Sequence, residues 1–160
     1  MITFNYSISK SWDTNSHQIN LSSADEMTIR YNLFLGDIVM QIETCDFSTN
    51  WGWVPVLDFI ISLNDIICEL NKHSHFEIIF EFTESEANIK FERDGIFLLV
   101  SASYVQGTSK VLFDDFSIEL EVFTSRVIKD ILNNFPESKN NVWFNQFIKL
   151  RENKKCKSSI

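Results

Sequence analysis

The chain has 160 residues, 44% of them hydrophobic and 14% aromatic, with four glycines and two prolines. That is the length of one domain, with ample material for a core and too little Gly and Pro for long linkers. The formal net charge is −8, and such a surface repels nucleic acid and anionic membranes while attracting basic partners, although the same charge also serves solubility.

The charge is uneven. Residues 149–160 hold five cations (Lys149, Arg151, Lys154, Lys155 and Lys157) against Glu152, so this segment carries +4 and the first 148 residues carry −12. We read residues 1–150 as a single domain and 151–160 as a basic, disordered tail, in which a solvated terminus outweighs a binding role. The start, MITFNYSISKSW, lacks the apolar stretch of a signal peptide, and no run reaches the ~18 apolar residues of a membrane helix. Cys45, Cys68 and Cys156 are odd in number, with no CxxC spacing, which suits a reducing cytoplasm.

In chain order, Ile2, Phe4, Tyr6 and Ile8 alternate with polar residues and predict a strand. Ser9–Asp25 is polar and reads as a loop. Met27–Phe34 and Asp37–Thr44 read as two further strands, with Gly36-Asp37 as a tight hairpin between them. The spacing then changes. From Val54 the polar positions are Asp58, Ser62, Asp65, Glu69 and Lys72, a single stripe on a 3.6-residue period in an otherwise apolar run. Such a helix is packed over most of its circumference, and Pro55 suits its first turn.

Trp51 and Trp53 flank Gly52 just before this helix. They serve either to cap the core where the chain enters it or as a stacking platform for a base or sugar. The first role is favoured, because large aromatics fill cores.

HFEIIFEFT places Phe76, Ile78, Phe80 and Phe82 on one face of a strand and Glu77, Ile79 and Glu81 on the other. Asn88–Arg93 is a second strand, with Lys90 and Glu92 outward. Asp94-Gly95 is a hairpin signal before IFLLVSASY, a central strand apolar on both faces through Val100. Ser109–Phe113 is one more strand after a turn at Gln106-Gly107. A helix then runs to about Asn134, capped by Asp114, Asp115 or Ser117, with Leu120, Phe123, Val127 and Ile131 on its buried face. Pro136 ends it. Asn140 or Asn141 caps a last helix carrying Trp143, Phe144, Phe147 and Leu150. The order βββ–α–ββββ–αα predicts an α+β fold: an antiparallel sheet of six to seven strands, a central buried helix laid across it and two C-terminal helices.

No catalytic signature appears. There is no nucleophile elbow, P-loop or GxGxxG. His73 and His75, near Cys68, have the neighbourhood of a metal site but lack a completing set, so a surface turn is the better reading and neither metal nor cofactor is expected. The carboxylate pairs Glu84/Glu86 and Asp114/Asp115 sit at turns or helix starts, where negative charge meets the helix dipole. The stronger feature is an acidic sheet face. Glu77, Glu81 and Glu92 point outward on adjacent strands, with Glu84, Glu86 and Asp94 at the adjoining turns and Lys90 and Arg93 as partial compensation. Like charges across a sheet cost stability, and a surface built to meet a basic partner accepts that cost.

The run FEFTESEANIKFERDGIFLLVSASY, followed by RVIKDILNNFPE, resembles small immunity proteins of bacterial contact-dependent growth inhibition and polymorphic-toxin systems. The likeness covers Phe80–Glu137. It implies a compact, acidic, cytoplasmic protein without enzymatic activity that binds a cognate toxin domain, often a basic nuclease, and blocks it. The six carboxylates Glu77, Glu81, Glu84, Glu86, Glu92 and Asp94 are the expected contact residues. The alternative is a small α+β enzyme or ligand-binding protein with a pocket near Trp51/Trp53 or His73/His75.

Overall fold

The structure, a computed structural model, describes residues 1–9 and 19–157, with side chains through Asn153. The fold is α+β, as the pattern predicts, but its strands form two antiparallel sheets of four instead of one sheet of six or seven. In the first sheet, β2 (Leu35–Ile42) pairs with β1 (Ile2–Ile8), with β3 (Cys45–Asp46) and with β4 (Val54–Pro55). In the second, β5 (His75–Glu81), β6 (Asn88–Asp94), β7 (Phe97–Ala102) and β8 (Val105–Leu112) form a meander in sequence order. The sheets meet without a shared ladder. The Ser109 hydroxyl on β8 donates to the Ile42 carbonyl (2.6 Å), and the Tyr104 hydroxyl donates to the Phe47 carbonyl (2.8 Å).

The described residues also form three α-helices: α1 (Val56–Leu70), α2 (Phe113–Asn134) and α3 (Val142–Lys157). Helix α1 is as engulfed as its narrow polar stripe predicts. Val56, Leu57, Phe59, Ile60, Leu63 and Leu70 are all buried, each burial being worth about 1.5–3 kcal/mol. Asp58 departs from the stripe and is buried too, paired with Arg30. On α2 the expected face of Leu120, Phe123, Val127 and Ile131 is buried. Phe4 of β1 lies against it, edge-on to Phe116 and stacked on Phe123.

Three local expectations are corrected. Met27–Phe34 is no strand: Thr28–Asn32 forms a π-helical turn. Asp25 Oδ1 accepts the Thr28 N–H (2.8 Å), and the buried side chains Ile29 and Leu33 fall four apart, a helical spacing that alternation masked. Gly36-Asp37 is no hairpin either. Gly36 lies inside β2, opposite Ile8 on one side and Val54 on the other, and a Cβ there would come within 1.8 Å of the Ser7 carbonyl oxygen. The glycine permits close strand approach, not a turn. The third turn falls at Ser103–Tyr104 instead of Gln106-Gly107. Gly107 (φ +102°) sits within β8, beyond a register shift at Ser101/Ala102.

Helix ends show which caps the chain uses. Leu112 precedes α2 with no side-chain cap, so neither Asp114, Asp115 nor Ser117 caps it; the two aspartates stand in its first turn. Asn141 does cap α3: its Oδ1 accepts the Phe144 N–H (2.9 Å), and its Nδ2 donates to the carbonyls of Leu21 and Ala24 (2.8 Å each). Helix α3 runs past residue 150 to Lys157, so the boundary expected from composition falls within it. Arg151 reaches the Ser125 hydroxyl (3.3 Å) and pairs with Glu121 on α2. Leu150, expected on the apolar face of α3, is exposed. Among the described residues, no helix is long and apolar enough to cross a membrane.

Candidate acidic interface on the β5–β6 hairpin

The two strands pair in the register that their alternation requires. Phe80 is buried beneath the hairpin together with Ile89 and Phe91, while Glu77, Ile79 and Glu81 face outward. Phe76 keeps the inward side but is 44% exposed at the strand end, its ring 4.8 Å from that of His73.

Glu77 lies directly opposite Glu92. Two carboxylates at this position repel, and Lys90 answers both: its Nζ is 3.2 Å from Glu77 Oε2 and 3.2 Å from Glu92 Oε2. The hydrogen bonds that Lys90 donates to Glu92 and then to Glu77 hold the lysine's pKa above its ordinary value. Arg93, the other expected offset, does not reach this face. Its Nε donates to the Gly95 carbonyl (3.0 Å), its Nη1 donates to the Leu70 carbonyl (3.0 Å), and its guanidinium lies 4.1 Å over the Phe113 ring. The surface is therefore more negative than the sequence implies.

The six expected carboxylates are not all together. Glu81 sits at the end of β5, opposite Asn88, and Glu84 and Glu86 are exposed in the turn that follows. With Glu77 and Glu92 they form one acidic run toward the hairpin tip. Asp94 lies at the other end of the seven-residue pair, opposite His75, with His75 Nδ1 3.0 Å from Asp94 Oδ1.

The other candidates are engaged elsewhere. His73 Nε2 is 3.5 Å from Glu69 Oε1, so the two imidazoles serve different acidic partners. Among the described residues, no group of three or more His, Cys, Asp or Glu is arranged to hold a metal ion. Cys45 and Cys68 are free thiols. Trp51 stacks on Trp53 (5.2 Å between centroids) and meets Phe82 and Tyr104 edge-on (5.0 and 5.1 Å). Gly52 (φ +74°) donates its N–H to Asp37 Oδ1 (2.8 Å), which fastens the tryptophan loop to β2. Both rings are half-buried and pack on the core, the arrangement of a cap on the hydrophobic interior.

The acidic run has two apolar neighbours, one of which the alternation already turned outward: Ile79 is 51% exposed between Glu77 and Glu81. Beside it runs an open groove of about 330 Å³ between β5 and α1, lined by Ile79, Phe80 and Glu81 on the strand and by Asp58, Ser62 and Ile66 on the helix. The strand itself was legible as alternation; its place at the edge of a sheet was not, because strand order leaves no local mark. No family model, curated protein or solved structure matches the chain.

Proposed function

We propose that the chain is a binding protein that neutralises a basic protein partner through the β5–β6 face. In the reading suggested by its resemblance to immunity proteins, that partner is a cognate toxin domain, met in the cytoplasm, and the chain performs no reaction itself. The observation that carries the proposal is the placement of Glu77 directly opposite Glu92, with Glu81, Glu84 and Glu86 continuing the charge toward the tip and Lys90 between the strands. Facing carboxylates cost a sheet stability. A face that meets cations gains both association rate and discrimination from them.

The test is to look for a toxin domain encoded by a neighbouring gene and to co-express it with this chain. Growth is restored by the wild-type chain and lost again when Glu77, Glu81 and Glu92 are all replaced by lysine, with the variant's circular dichroism unchanged. Failure of the wild-type chain to restore growth, or to form a complex with that domain, overturns the proposal.

A further inference from the structure

The open side of β5 carries a second level of recognition. Gly95 donates its N–H to the Ser74 carbonyl (2.7 Å) and Phe82 donates its N–H to the Ala87 carbonyl (3.1 Å), which fixes the even-numbered residues of β5 as those bonded to β6. In an antiparallel pair these residues alternate with ones whose backbone faces the other way. His75, Glu77, Ile79 and Glu81 therefore turn their N–H and C=O groups away from β6. Strand β5 is the edge of its sheet, and among the described residues none gives these groups a backbone partner. Such a row is a template for another strand unless something blunts it. Here there is no proline, and the strand is seven residues long.

We propose that β5 takes up an extended basic segment of the protein partner as a fifth strand. This rests on the function proposed above and specifies how that face engages its target. Side chains of an added strand would alternate between two environments. On the outer face they would meet Glu77, Ile79 and Glu81, which calls for lysine or arginine around a central apolar residue. On the inner face they would enter the groove, where Ile66 and Phe80 offer apolar contact beside Asp58, Ser62 and Thr83, which suits aliphatic side chains of moderate size that leave those polar groups open to water. The occupant is thus a strand of alternating basic and aliphatic residues.

Charge also argues against a second copy of this chain. In the antiparallel register that pairs β5 with itself over its whole length, Glu77 lies diagonal to both Glu77 and Glu81 of the other copy. Four carboxylates then crowd one small face, and carboxylates so placed repel.

The test uses a twelve-residue peptide of alternating lysine and valine at low ionic strength, read by amide hydrogen exchange. The expected result is at least tenfold slower exchange at Glu77, Ile79 and Glu81. The same peptide N-methylated on the bonding edge should give no protection, and an alternating glutamate–valine peptide should not bind. Equal binding of the methylated and unmethylated lysine peptides would overturn strand addition while leaving the acidic-face reading intact. Protection that appears without peptide as the chain's concentration rises, with a doubled mass in solution, would show a second copy as the occupant and overturn the proposal. Ile79→Pro gives an independent arm in the growth assay. It removes an N–H that β6 does not use, so the fold is retained and rescue is lost; a folded variant that rescues fully also overturns strand addition. Failure of the wild-type chain to rescue is a different outcome and removes the underlying function.

Discussion

Arg30, in the π-helical turn, donates from its Nε to Oδ1 of Asp58 on α1, and its Nη2 lies 3.5 Å from the Ser62 hydroxyl. The pair lies beside the groove along β5 and joins a segment that pattern alone assigns to a strand to the most deeply packed helix. Burial pushes the Asp58 carboxyl pKa above its usual range despite the guanidinium beside it. Removing one partner leaves the other stranded, whereas removing both does not. Asp58→Leu alone should cost about 3 kcal/mol. The double variant Arg30→Met/Asp58→Leu should cost clearly less than the two single changes together. Urea midpoints for the four proteins of the cycle check this.

Gly36 gives the sharpest steric prediction. Its missing side chain lets β1 and β2 approach until the Ser7 carbonyl oxygen lies 1.8 Å from where a Cβ would stand, with further backbone atoms within 3.0 Å. Relief requires the strands to part, since the obstacle is backbone instead of a movable side chain. Gly36→Ala should cost about 3 kcal/mol or more. Gly95→Ala, at a hairpin with φ +60° and open space around it, should cost less, through backbone strain alone. Thermal midpoints of the two variants rank them.

Two tyrosines set the alkaline limit. Burial raises the Tyr6 and Tyr104 phenols well above their ordinary pKa, Tyr6 being further raised by its hydrogen bond to Asp130 (2.9 Å). A group raised on folding contributes stability that is complete below the unfolded value and is lost as pH climbs toward the folded one. Stability should hold to about pH 10, where unfolded tyrosine ionises, and fall above it. Tyr104→Phe should flatten that fall, at the expense of the bond to the Phe47 carbonyl. Absorbance at the tyrosinate band, followed against pH alongside circular dichroism, should show both phenols ionising only as the chain unfolds.

What the sequence discloses depends on how local the signal is. The stripe from Asp58 to Glu69 and the strand alternation of Glu77, Ile79 and Glu81 are one-dimensional patterns, and the corresponding elements stand where they were expected. Asn141 caps α3 because its short amide both accepts the Phe144 N–H and bridges to Leu21 and Ala24. Gly36 misled because a glycine before an aspartate has the same signature whether it turns the chain or lets two strands close up. Arg93 misled for a related reason. Alternation gives its face of the strand, but the carbonyls of Leu70 and Gly95 and the ring of Phe113 capture its side chain. The division into two sheets shows where β8 meets β2, through Ser109 and Ile42, residues far apart in the chain, and nothing in either strand announces it.

The association rate between this chain and the basic toxin domain proposed as its partner, measured by stopped flow across a range of sodium chloride concentrations, tests the acidic β5–β6 face most directly. The account predicts a rate that falls steeply with salt and drops about 10- to 100-fold at low salt when Glu77, Glu81 and Glu92 become lysine. Lys90→Ala, which frees two carboxylates, should raise the rate. An unchanged rate in the triple variant, with the same salt dependence as the wild type, would contradict it.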